Sequence, residues 1–199
     1  MILIGLTGSI AMGKSTVAAM FAAAGAPVFD SDGAVHAFYR SAEAEIIEAQ
    51  FPGVWRDGAI DRDRLADQLV GNQTALARLE AIVHPIVEMA RKSFVQSALT
   101  ARARQVVLDI PLLLEIGADR SVDLVLVVSA PASVQKARAL ARPGMTLQRF
   151  ESILARQTPD REKRRRAHFV LDSSGSMEAT MAQMRDILRC TAAMTGRSI

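Results

Sequence analysis

Residues Gly8 to Ser15 read GSIAMGKS and match G-x-x-x-x-G-K-[ST] at every fixed position. Gly8 and Gly13 let the backbone turn tightly, so that successive N–H groups converge on an anion. Lys14 carries a positive charge to the β- and γ-phosphates of a nucleoside triphosphate. The Ser15 hydroxyl can ligate Mg²⁺, and the helix opening here adds its N-terminal dipole. Upstream, Ile2 to Leu6 reads as a buried strand. Downstream, Val17, Met20, Phe21 and Ala24 recur at helical spacing until Gly25 stops the helix. Strand, glycine loop and helix together make a phosphate cradle.

Outward from the cradle, apolar runs recur at Pro27–Phe29, Val106–Ile110, Asp123–Ser129 and His168–Leu171. Continuous apolar strands are those covered on both faces, as in a parallel sheet between helices. The chain is therefore expected to be α/β, a three-layer P-loop domain with a parallel five-stranded sheet. Residues 34 to 100 contain no convincing strand and are too long for a simple crossover, so they are expected to form a helical insertion. Pro85 suits the first turn of a long helix running to about Arg104. Arg142 to Thr146, RPGMT, reads as a turn between helices.

Composition narrows the class. The chain has 199 residues, half of them apolar, with few aromatics and a net charge of +3. That suits one domain with a real core rather than a solvated or disordered chain. The basic excess gathers at Arg161–Arg166 without interleaved aromatics, which argues against nucleic acid. The single cysteine, Cys190, excludes an internal disulfide. The N-terminus lacks a basic n-region, and no apolar run reaches a membrane span. A soluble cytoplasmic protein is expected, a monomer or small homo-oligomer.

Several side chains are candidates for chemistry. Asp30 and Asp32, in FDSD, close the second strand, where a carboxylate can orient an acceptor hydroxyl or cap a turn. Asp109 ends VVLD and can reach Mg²⁺ through water. The IPLLLE segment that follows, with Leu112, Leu113 and Glu115, suits either an acceptor-pocket wall or plain core. His36 and His84 are possible substrate contacts, or a solvated face and a helix cap. Arg138 and Arg142 lie four apart, as on one helix face, and arginine suits clamping of phosphate oxygens.

From GLTGSIAMGKST at Gly5–Thr16 through FDSD, His84-Pro85, DIPLLLE at Asp109–Glu115, the spaced Gln135, Arg138 and Arg142, and RQTPDREKRRRAHFVLDSSGS at Arg156–Ser176, the chain resembles the dephospho-coenzyme A kinase family. The resemblance implies transfer of the γ-phosphoryl group of ATP to the ribose 3′-hydroxyl of dephospho-CoA with Mg²⁺. It also implies a nucleotide-binding core, a helical CoA-binding insertion at about 34–105 and a lid at about 136–166. Asp32, Lys14 and Arg142 would be catalytic. Gly8, Ala11, Met12, Gly13, Lys14, Ser15, Thr16 and Arg138 would hold ATP, with Ser15 and, through water, Asp109 on the metal. His36, His84, Leu112, Leu113 and Glu115 would meet the acceptor. Four positions depart from the family pattern: Ala11 and Met12 stand where Gly and Ser are common, His36 where Arg is common, and LDSS replaces an IDN-type tail at Ser173. Shikimate kinase, a nucleoside monophosphate kinase and a GTP-dependent switch are the rival readings. The first would bring a GGG segment and the last an N-K-x-D signature, and neither is present.

Overall fold

The computed structural model describes residues 1–194. In chain order the elements are β1 (Ile2–Thr7), α1 (Lys14–Ala23), β2 (Val28–Asp30), α2 (Ser31–Phe38), α3 (Glu45–Gln50), β3 (Trp55–Arg56), β4 (Ala59–Ile60), α4 (Arg62–Leu69), α5 (Gln73–Thr100), β5 (Gln105–Asp109), β6 (Leu124–Ser129), α6 (Ala132–Leu140), α7 (Leu147–Ala155), α8 (Asp160–Arg166), β7 (Phe169–Asp172) and α9 (Met177–Ala192). They divide into two compact units, one of residues 30–96 and the other of residues 1–29 with the chain from Ser97 onward.

The larger unit is built on a five-stranded sheet ordered β2-β5-β1-β6-β7. β1 pairs in parallel with β5 and β6, and β6 with β7. Ile4, Leu6, Val107, Leu126 and Val128 bury one face against Val17 and Phe21 of α1 and Met184 and Ile187 of α9. The apolar runs are strands because helices exclude water from them. The expected α/β class and five-stranded parallel sheet are thus observed. β5, not β2, lies beside β1 on that side, so the FDSD segment, which closes the second strand, does not end a strand adjacent to the cradle. Instead Asp109 pairs in register with Leu6, two residues before Gly8.

The smaller unit has its own core, with Phe38, Ile47, Phe51, Val54, Leu65, Leu79 and Val83 buried together. It is mainly helical, but β3 and β4 form a short antiparallel hairpin that the strandless expectation missed. Asp57 (φ 49°) and Gly58 (φ 81°) are both left-handed, as an Asp-Gly hairpin turn requires. Pro85 is also corrected: it sits inside α5 rather than at its start. An interior proline costs about 3 kcal/mol of helix stability. Here Ala75, Leu79 and Val83 anchor the helix N-terminal to it in the core. The helix then stops at Thr100, short of Arg104, and Arg102 turns the chain with φ 56°. Among the described residues no helix is long and apolar enough to cross a membrane.

Candidate active site

The cradle is shaped by backbone and held by later elements. Gly13 caps α1 with φ 86°, and a Cβ on Gly8 would stand 2.7 Å from the Val128 carbonyl oxygen. Both glycines are therefore required, one by conformation and one by close approach of β6. Ile10 N–H donates to Gln157 Oε1 at 2.9 Å, and Gln135 Nε2 donates to the Ile10 carbonyl at 2.9 Å. The Met12 sulfur accepts from Ala130 N–H at 3.1 Å, and its carbonyl accepts from Ser173 Oγ at 2.7 Å. Ala11 and Met12 are buried, so these two residues offer an anion their backbone rather than their side chains. Ala11 adopts φ 60°, a left-handed conformation unusual for a residue with a Cβ. Ser9 Oγ is buried without a hydrogen-bond partner.

Lys14 Nζ lies 2.5 Å from Asp109 Oδ1 at the end of β5, which brings together two predicted site residues. Ser15 and Thr16 are exposed in the first turn of α1. A hydroxyl and a carboxylate are hard oxygen donors of the kind Mg²⁺ takes. No group of three or more His, Cys, Asp or Glu able to hold a metal occurs among the described residues. A cavity of about 290 Å³ adjoins the loop, with Gly13, Thr16, Arg138, Arg142 and Ser173 in its wall. Arg142 reaches it from the turn after α6 rather than from the helix, which ends at Leu140. Arg138 donates from Nη1 to Ser173 Oγ at 3.1 Å and from Nη2 to the Ser173 carbonyl at 2.7 Å.

The segment after β5 divides. Leu112 is exposed, whereas Leu113 is fully buried, with its Cδ2 only 2.8 Å from where a Cβ on Gly5 would lie. The expectation that Leu113 contacts substrate is corrected: it is core beneath β1. Glu115 Oε1 lies 2.7 Å from Lys163 Nζ and accepts Thr158 N–H at 2.8 Å. Burial pushes the Glu115 carboxyl up, but the Lys163 and Thr158 hydrogen bonds outweigh it and leave the group below the ordinary carboxylate range. The basic run of α8 is occupied as well. Lys163 is fully buried, Arg164 donates to Ser129 Oγ, and Arg165 and Arg166 pair with Glu162 and Asp119.

Asp32, expected at a strand end, lies in the first turn of α2, one residue past the Ser31 that opens the helix. With His36 it lines a cavity of about 400 Å³ within the smaller unit, whose wall also includes Tyr39, Arg62, Leu65 and Leu69. Burial raises the Tyr39 phenol, and the nearby Arg62 charge works against that rise. Asp30 is exposed at the N-cap of α2 and makes no side-chain cap bond. His84 is exposed along α5, away from a helix start.

Sequence reasoning did not single out Ser173, Gln157, Lys163, Tyr39 or Arg62. Ser173 stands in the sequence only as a departure from the IDN-type tail, yet its hydroxyl meets the loop. Lys163 is concealed within a basic run, and nothing in its local pattern marks it as the member that faces inward. Tyr39 and Arg62 come together only through the packing of α2 on α4.

The arrangement is that of a small-molecule kinase, and comparison with known proteins narrows it. The family model described as dephospho-CoA kinase matches residues 2–179. A curated dephospho-CoA kinase from Mesorhizobium japonicum is 51% identical over 188 residues, covering 94% of this chain and 95% of the relative. A crystal structure of TT1252 from Thermus thermophilus superposes with a TM-score of 0.81 at 36% identity, covering 98% of both chains. Dephospho-CoA kinase from Campylobacter jejuni, with a TM-score of 0.68 at 24% identity over 94% of this chain and 95% of its own, shares the fold. The cradle, the Asp109 strand end and the helical unit all lie within the matched span, and the chain belongs to the dephospho-CoA kinase family.

Proposed function

We propose that the chain transfers the γ-phosphoryl group of ATP to the ribose 3′-hydroxyl of dephospho-CoA, giving ADP and CoA, the last step of coenzyme A synthesis. The observation that carries this reading is the family match across residues 2–179, which takes in both the cradle and the 30–96 unit. ATP occupies the cavity beside the loop, with its phosphates on the loop N–H groups and Lys14. Ser15 and, through water, Asp109 would hold Mg²⁺, which when bound would supply positive charge to the transferring phosphates. The 30–96 unit receives the acceptor, the Leu65 and Leu69 side of its cavity wall suiting the pantetheine arm. The 3′-oxygen attacks the γ-phosphorus as the bond to the β-bridging oxygen breaks. Asp32 orients that hydroxyl and takes its proton late, because the transition state is loose. Arg142, from the 136–166 lid, faces the charge that develops in transfer. The reaction is cytoplasmic and uses small molecules.

Purified protein with Mg²⁺-ATP and dephospho-CoA is expected to form CoA and ADP, with shikimate and nucleoside monophosphates as poor acceptors. No CoA, with rapid ADP release on another acceptor, would overturn the reading. Asp32→Asn is expected to lower kcat by about 10²- to 10⁴-fold with little change in KM for ATP, and Asp30→Asn to lose less. Normal turnover of Asp32→Asn beside a dead Asp109→Asn would reverse the two roles.

A further inference from the structure

We infer that Ser173 is a positioning residue for nucleotide binding, one that holds the Arg138 guanidinium against the phosphate loop so that loop and cavity wall form one preset surface. The inference rests on ATP occupying that cavity. Ser173 is 6% exposed, directly after β7, and its N–H donates to the Ser129 carbonyl at 2.9 Å, prolonging the β6–β7 ladder. The residue before it is mounted firmly. Asp172 N–H donates to Gln183 Oε1, and Gln183 Nε2 donates to the Asp172 carbonyl, both at 2.9 Å, which fastens the strand end to α9.

The hydroxyl has one hydrogen, and its two candidate acceptors are unequal. The Met12 carbonyl is at 2.7 Å and the Ser129 carbonyl at 3.4 Å, so the proton goes to the loop. The oxygen is then left to accept Arg138 Nη1 at 3.1 Å, while Nη2 takes the Ser173 carbonyl at 2.7 Å. Two bonds to one residue fix the guanidinium plane as a single bond cannot. A Cβ on Gly13 would lie 3.3 Å from the same hydroxyl, so Ser173 also packs against the second glycine of the loop. A long arginine side chain ordered only on binding would lose rotamer freedom at that moment. Ser173 removes that loss beforehand.

The test is kinetic. Ser173→Ala is expected to raise KM for ATP by about 5- to 20-fold, the effect of one to two lost hydrogen bonds. KM for dephospho-CoA should stay within about twofold. Ser173→Thr, which keeps the hydroxyl, should restore most of the ATP affinity. Because the serine acts through the arginine, adding Ser173→Ala to Arg138→Ala should raise KM for ATP far less than it does alone. Melting curves set an assay temperature at which every variant is folded. Four results would each overturn the inference: an unchanged KM for ATP, parallel rises in both KM values, a threonine variant as impaired as the alanine one, or full additivity with Arg138→Ala. Failure of the wild-type protein to make CoA would instead strike the functional reading, and it is read without any Ser173 variant.

Discussion

Asp109 holds the Lys14 ammonium at 2.5 Å with only 6% and 15% of the two side chains exposed. Water screens such a pair poorly, so removing one partner leaves the other charge shielded from solvent and uncompensated. From sequence alone Lys14 reads as a charge projecting into its cradle, whose loss would spare the fold. The contact to Asp109 changes that expectation. Lys14→Ala should lower kcat by at least about 10²-fold, because the charge is needed as electrons shift in transfer. It should also destabilise the protein by about 1–3 kcal/mol, the range for a hydrogen bond to a charged group. Thermal melts beside steady-state kinetics check both, and an unchanged Tm would show that the pair contributes nothing to folding. Ala11 illustrates what sequence hides at this scale. Its motif position is free, yet its φ of 60° costs about 1 kcal/mol. The methyl group is packed with Ala139 and Phe150, which helps offset that strain.

Helix α8 is fastened by charge at both ends of its basic run, Lys163 to Glu115 and Arg166 to Asp119. The Glu115 carboxyl titrates below its ordinary value, so its unfolded-state value is the higher of the two. Its contribution to stability is therefore present above the unfolded value of about 4.3 and is lost as pH falls through the folded one. Lys163→Met should cost about 1–3 kcal/mol by leaving the partly buried Glu115 without its cation. The double variant Lys163→Met with Glu115→Gln should recover most of that loss and flatten the acid limb of Tm against pH. Failure of the double variant to recover would mean that lysine packing, rather than the charge pair, holds the helix. The five strands were legible because apolar runs bounded by turn residues need no tertiary knowledge. The hairpin was missed because two-residue strands carry too little pattern, although Asp57-Gly58 is itself a turn signal. Pro85 misled because the local rule for proline assumes a helix with nothing to anchor it, whereas α5 is anchored by its core face.

At the scale of the whole molecule, the cradle was legible residue by residue, since its chemistry lies in one contiguous motif. The 30–96 unit was legible only as an insertion, because its cavity joins the Asp32 and His36 of α2 to α4, which carries no motif. Ligand binding should appear as stability. ATP with Mg²⁺ at a hundredfold excess over its Kd should add about 2.7 kcal/mol, which for a chain of this size raises Tm by roughly 5–10 °C. A melting curve indifferent to ATP but raised by GTP would redirect the nucleotide assignment. The full burial of Lys163 has a further consequence, for chemical labelling. The chain has four lysines. Lys92 and Lys136 are exposed, Lys14 is held by Asp109, and Lys163 is fully buried. An amine-reactive acylating reagent needs both access and a free lone pair. It therefore marks Lys92 and Lys136 at once and Lys163 only when α8 detaches from the segment after β5, making that one amine a built-in clock for local opening.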